Sequence, residues 1–168
     1  MCVLVEAISV VVPIVVLERK YPGGAAQYER DCPNGTYCAD ENLARVGFMV
    51  PGDVGAFVER LSRSGLVFQL DGRSVDIVVV DQLHGPTTLC DWLESGRHPD
   101  GYSAAWLAGI EAGALAHPPG WTPAQSAAMK FVPNESARDR FLILANEENL
   151  DTVLDYETGK QSYRGRVR

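Results

Sequence analysis

Basic residues are in deficit: 15 Lys and Arg stand against 22 Asp and Glu, a formal net charge of -7. Phosphate backbones and anionic lipid surfaces are held through many Lys and Arg contacts. The imbalance therefore argues against nucleic acid and membrane surfaces as partners, and it favours solubility or a basic protein partner. Cysteine is scarce as well, with only Cys2, Cys32, Cys38 and Cys90, and none of them has the two-residue spacing of zinc ribbons or thioredoxin-like redox sites. They read as thiols of a reducing compartment, which points to the cytoplasm. Cys32 and Cys38, across a Pro-Asn-Gly turn, leave a disulfide open.

Phosphate-loop and calcium-loop patterns are missing. "ETGK" at 157–160 has the end of the first pattern without its glycine framework, and it reads as a hairpin turn. Glu147 and Glu148, in "ANEEN", read as solvated turn charges. Nor does any apolar run reach the roughly twenty residues of a membrane-spanning helix. The nearest stretch, "MCVLVEAISVVVPIVVL", is interrupted by Glu6, Ser9 and Pro13. Its cations Arg19 and Lys20 follow the apolar part, the reverse of a secretory signal.

What remains is an ordinary globular composition, 46% hydrophobic and 22% charged over 168 residues, suited to one domain with a sizeable core. Ala7 to Val12 is rich in β-branched residues and apolar at most positions, which predicts a strand buried on both faces that ends at Pro13. The pattern returns: "ISVVVPIVV" at 8–16 and "VGFMVPGDV" at 46–54 align their apolar positions and their prolines. After the second copy, Asp53 as N-cap, Val54, Phe57, Val58 and Leu61 at helical spacing and Gly65 as stop predict a helix. Two strands, Leu66 to Leu70 and Val75 to Gln82, follow around the turn Asp71-Gly72. In the first copy "YPGG" breaks the helix before "AAQYERD". Residues 7–44 and 45–82 thus read as duplicated β-α-β-β modules. The predicted fold class is α+β, a mainly antiparallel sheet with helices on one face.

Residues 83–168 read as a strand-rich C-terminal extension. "LCDWLE" is expected to be a strand paired with Val75 to Gln82, and Ser103 to Ala108 with Ala114 to His117 a hairpin around "GIEAG". Thr122 and Pro123 open a short helix, and Phe141 to Ala145, Thr152 to Tyr156 and Gln161 to Arg164 form three strands. Trp92, Trp106 and Trp121 are expected in the core or at its margin.

No catalytic set assembles. The nearest candidates are His84, Cys90 and Asp91, which flank one turn and contain a thiol and an imidazole. Asp76 and Asp81 differ by five positions, which puts them on opposite faces of one strand. The paired-module pattern at 8–16 and 46–82 resembles the vicinal-oxygen-chelate metalloenzymes over less than half of the chain. That resemblance implies a divalent metal held by strand side chains. "RVGFMV" offers no ligand after Arg45, which leaves Asp76, Asp81 and Gln82 as the metal candidates. The sequence therefore supports a noncatalytic binding or accessory protein that needs no cofactor and takes a basic protein or a small molecule as its partner. A metal-dependent enzyme is the alternative. A homodimer through an exposed sheet edge is compatible with both.

Overall fold

The computed structural model describes residues 1–128, 141–147, 150–155 and 161–165. In chain order the elements are β1 (Cys2–Leu4), β2 (Ile8–Pro13), α1 (Ile14–Lys20), α2 (Gly24–Asp31), β3 (Cys38–Ala39), β4 (Leu43–Phe48), α3 (Pro51–Arg63), β5 (Gln69–Leu70) and β6 (Arg73–Ser74). There follow β7 (Val78–Asp81), β8 (Gly85–Pro86), β9 (Leu93–Arg97), β10 (Ser103–Leu107), β11 (Leu115–Ala116), α4 (Pro123–Ala128), β12 (Phe141–Glu147), β13 (Leu150–Asp155) and β14 (Gln161–Gly165).

The valine-rich run becomes the central strand of a five-stranded antiparallel sheet ordered β3-β4-β2-β7-β8. Side chains alternate across a strand, and both faces of this one are covered. Ile8, Val10 and Val12 join Val46, Phe48 and Val79 under the helices, with Leu17, Tyr28, Phe57 and Leu61. Val11, Leu43, Val78 and Val80 face Val3, Leu93 and Ala105 of a second sheet and Val5 just beyond its β1. That sheet is ordered β11-β1-β10-β9. The result is three layers: helices, central sheet, second sheet.

Helix α3 is built as its spacing predicts, with Val54, Phe57, Val58 and Leu61 buried. Its start differs from expectation. The N-cap is Val50, which makes no side-chain cap bond, Pro51 takes the first helical position, and Asp53 falls within the first turn. Proline suits that position because its missing N–H has no partner there in any helix. At the far end Gly65, at φ +105°, donates its N–H to the Ser62 carbonyl, and Leu66 donates to Leu61. This Schellman arrangement requires the left-handed conformation that glycine adopts without strain. Asp71 and Gly72 both have positive φ, 50° and 77°, and turn the β5-β6 hairpin.

Three expectations are corrected. The strand expected over Leu66 to Leu70 shrinks to β5, while Leu66 and Phe68 pack into the helical core. "LCDWLE" does not pair with β7. Its only strand residues, Leu93 and Glu94, open β9, which pairs with β10 in the second sheet. The hairpin around "GIEAG" has its strands but not its pairing, since β1 inserts between β10 and β11, antiparallel to one and parallel to the other.

β12, β13 and β14 form a separate three-stranded antiparallel sheet. Tyr156, Glu148, "ETGK" at 157–160 and the end of the predicted 122–132 helix lie outside the described residues.

Candidate functional site

The residues singled out in the sequence are placed apart, each engaged in local structure. His84 Nδ1 lies 3.0 Å from Asp81 Oδ1, and the same oxygen accepts the N–H groups of Leu83 and His84 at 2.8 and 3.0 Å. Asp81 is 3% exposed and closes the turn after β7. Asp91 is paired with Arg73 at 2.7 Å. Cys90 packs beside the second core, and burial raises its thiol pKa. The His84 imidazole therefore bonds Asp81, and no bond joins it to Cys90. A thiol held protonated is a poor nucleophile.

The metal candidates diverge in the same way. Asp76 accepts from Lys20 Nζ and from the Val67 N–H, both at 2.7 Å. Gln82 Oε1 accepts the Ala7 N–H at 2.7 Å, where Ala7 sits at φ +47°. Among the described residues no three His, Cys, Asp or Glu side chains converge as a metal-binding group. Cys32 and Cys38 are free thiols, as are Cys2 and Cys90. The three tryptophans stand at the core margin, half-buried, with indole N–H groups donated to Val75 O, Glu94 Oε2 and Glu6 Oε1.

The site that does form is a cleft of about 420 Å³ at the end of the β2-β4 ladder. Three stretches build it. The turn Asn34 to Thr36 is held to β4 by Asn34 Nδ2 donating to the Gly47 carbonyl at 2.9 Å and by the Gly47 N–H donating to Thr36 Oγ1 at 2.8 Å, and it is closed on itself by a short hydrogen bond from the Thr36 hydroxyl to Asn34 Oδ1. The end of β4 and the start of α3 contribute Phe48, Met49, Val50 and Asp53. The third wall, Pro118 to Trp121, is positioned by the Trp121 indole N–H, which donates to Glu6 Oε1 at 2.9 Å, and by an edge contact to Tyr102 at 5.1 Å.

Arg45 forms the floor. Register puts Arg45 and Gly47 on the β4 face that meets the second sheet, opposite Val11 and Ser9. The side chain is 1% exposed. Its Nε donates to Ser9 Oγ at 2.8 Å, Nη1 to the Thr36 carbonyl at 3.2 Å and Nη2 to the Glu6 carbonyl at 3.1 Å. All three acceptors are neutral, and no ion pair to Arg45 occurs among the described residues. Burial pushes its pKa down, opposed by the nearby Cys38 thiol and Glu6 carboxylate. A buried charge without an ion-pair partner is costly, so its position at the base of the cleft stands out. Sequence reading passed over Arg45 as the residue after which no metal ligand came. The signal was its place in a strand whose other residues are apolar or small.

Such a cleft, where Phe48, Met49, Val50, Pro118, Pro119 and Trp121 stand beside Glu6, Asn34, Thr36, Arg45, Asp53 and Gln125, has the size of small-molecule sites. No helix among the described residues is long and apolar enough to cross a membrane. Compared with family models, curated proteins and solved structures, the chain matches none.

Proposed function

We propose that this chain is a noncatalytic binding protein whose ligand is a small molecule with an apolar body, received in the cleft between β4, the start of α3 and Pro118 to Trp121. The observation that carries the reading is the wall composition. Phe48, Met49, Val50, Pro118, Pro119 and Trp121 line much of about 420 Å³, and Met49 and Val50 are 46% and 43% exposed. Apolar side chains left open in a concave site are covered favourably when a ligand displaces water from them. The dispersal of His84, Cys90, Asp91, Asp76, Asp81 and Gln82 into structural bonds favours binding over the metal-dependent reaction. Free thiols at all four cysteines support a cytoplasmic setting. The order of strand, proline and helix at 8–20 and again at 43–63 supports an internal duplication as the origin of the layer that carries the cleft.

The test is a titration of the full chain with the neutral apolar dye Nile red, followed by dye fluorescence. A saturable one-to-one complex that is lost in Met49→Glu and persists in chelator is the expected result. Absence of binding, or binding indifferent to Met49→Glu, would sink the reading.

A further inference from the structure

We infer that Asn34 is a self-modification site: a side-chain amide that its own turn converts to a carboxylate, releasing one wall of the cleft. The chemical step is independent of any ligand. Its effect on binding rests on the cleft being the binding site.

Asn34 precedes Gly35, and no other asparagine in the chain precedes a glycine. Both residues are exposed. Glycine has no Cβ to crowd the approach of its own nitrogen, and the Gly35 N–H donates to no group among the described residues. The electrophile is held in place. Asn34 Oδ1 accepts the Thr36 N–H at 3.1 Å and also the Thr36 hydroxyl, while Nδ2 donates to the Gly47 carbonyl at 2.9 Å. Two donors on Oδ1 draw electrons from Cγ and stabilise the negative charge that this oxygen gains when Cγ is attacked, as donors do in acyl transfer.

In the step, the Gly35 nitrogen gives its proton to solvent base and bonds to Asn34 Cγ, closing a cyclic imide. The Cγ–Nδ2 bond breaks, and Nδ2 leaves as ammonia after taking a proton from water. A water molecule then opens the imide. Opening at Cγ gives aspartate, and opening at the Asn34 backbone carbonyl gives the isomer whose chain runs through Cγ. The balance is an amide and water giving a carboxylic acid and ammonia, with no oxidant and no cofactor.

The product lacks the donor that ties the turn to β4. An ionised carboxylate accepts hydrogen bonds and cannot give one, so at position 34 it forfeits the bond to the Gly47 carbonyl and repels that oxygen. Asn34, Gly35 and Thr36 all line the cleft. The Thr36 carbonyl also accepts Arg45 Nη1 at 3.2 Å, which carries the loosening to the cleft floor.

The full chain, folded in warm, mildly alkaline buffer, is sampled over time by peptide mass spectrometry beside a urea-unfolded sample. The mass shift of amide to acid should accumulate at Asn34 in the folded chain and not at Asn42. Gly35→Ala should suppress it without disturbing the fold, since a Cβ there meets nothing within 4 Å. Asn34 intact in the folded chain while the unfolded chain converts would overturn the site. The converted chain should exchange its Gly47 amide hydrogen faster, because that N–H is held by Thr36 Oγ1, and should bind Nile red more weakly than fresh protein. Unchanged Gly47 exchange overturns the release of the wall. Faster exchange with unchanged dye affinity places the dye elsewhere and overturns the cleft reading alone. Should Nile red not bind fresh protein, the cleft reading falls, and mass and exchange still decide conversion and release.

Discussion

Arg45 and Gly47, two residues apart on one face of β4, share a single volume: a Cβ on Gly47 would stand 2.7 Å from Arg45 Cζ. The guanidinium cannot simply move aside, since Ser9, Thr36 and Glu6 each accept one of its N–H groups. Gly47→Ala should therefore destabilise the protein by about 1–3 kcal/mol, the range for overpacking a buried site. Gly55→Ala is the matched control. It lies within α3 with nothing near its absent Cβ, so it should stabilise by about 0.5–1 kcal/mol through helix propensity. Urea unfolding of both variants measures the contrast, and equal effects would contradict it.

The Lys20–Asp76 pair predicts a difference between two salt bridges of similar length. Asp76 is 4% exposed, and the pair at 2.7 Å joins α1 to the residues before β7. Arg63 and Glu59, at 2.6 Å, are exposed on α3. Lys20→Met leaves a buried carboxylate short of its cation and should cost about 1–3 kcal/mol. Arg63→Met should cost less than about 0.5 kcal/mol. Chelation should leave the Tm unchanged, because Asp76 is engaged by Lys20 and the Val67 N–H. A Tm lowered by chelator would show instead that a bound ion contributes to stability.

Alkaline pH should destabilise the protein, in part through groups on its helical face. Burial pushes Cys32 from 9.0 to about 12 and Tyr37 from 10.0 to about 12. For Tyr21, burial and then the hydrogen bond to Asp31 raise it from 10.0 to about 12. Each group holds its proton more tightly in the folded chain. The unfolded chain therefore loses these protons first, and stability falls wherever the folded state binds more protons. Their contribution is present in full below about pH 9 and is lost as the pH rises toward about 12. Urea midpoints at about pH 8 and about pH 11 should differ, and Cys32→Ala should reduce the difference. A midpoint flat across that window would contradict the assignment.

Trp121→Phe keeps an aromatic ring beside Tyr102 and His117 and removes the N–H that reaches Glu6 across the chain, together with the bulk of one ring. The lost bond to a carboxylate should cost about 1–2 kcal/mol. Nile red should bind more weakly because the third wall is no longer tied to the residues before β2. Unchanged dye affinity with reduced stability would place Trp121 in the scaffold alone.

The sequence by itself determined the apolar faces of the main elements and where several of them would end. A β-branched run such as Ile8 to Val12 has few ways to satisfy its surface except between two layers, and it lies between two. The spacing of Val54, Phe57, Val58 and Leu61, the stop at Gly65 and the turn at Asp71-Gly72 are local properties of the chain, and each appears where the local rule puts it. Tertiary structure alone decided the partners. Period-two patterning says that a strand has a buried face and is silent on which strand lies beside it, so the insertion of β1 between β10 and β11 was not visible in "GIEAG" or its neighbours. The cleft depends on the same long-range pairing. Its floor at Arg45, its turn at Asn34 to Thr36 and its wall at Pro118 to Trp121 converge only once β2 and β4 are in register and the Trp121 indole has reached Glu6. Side chains so far apart in the chain carry no mutual spacing to read.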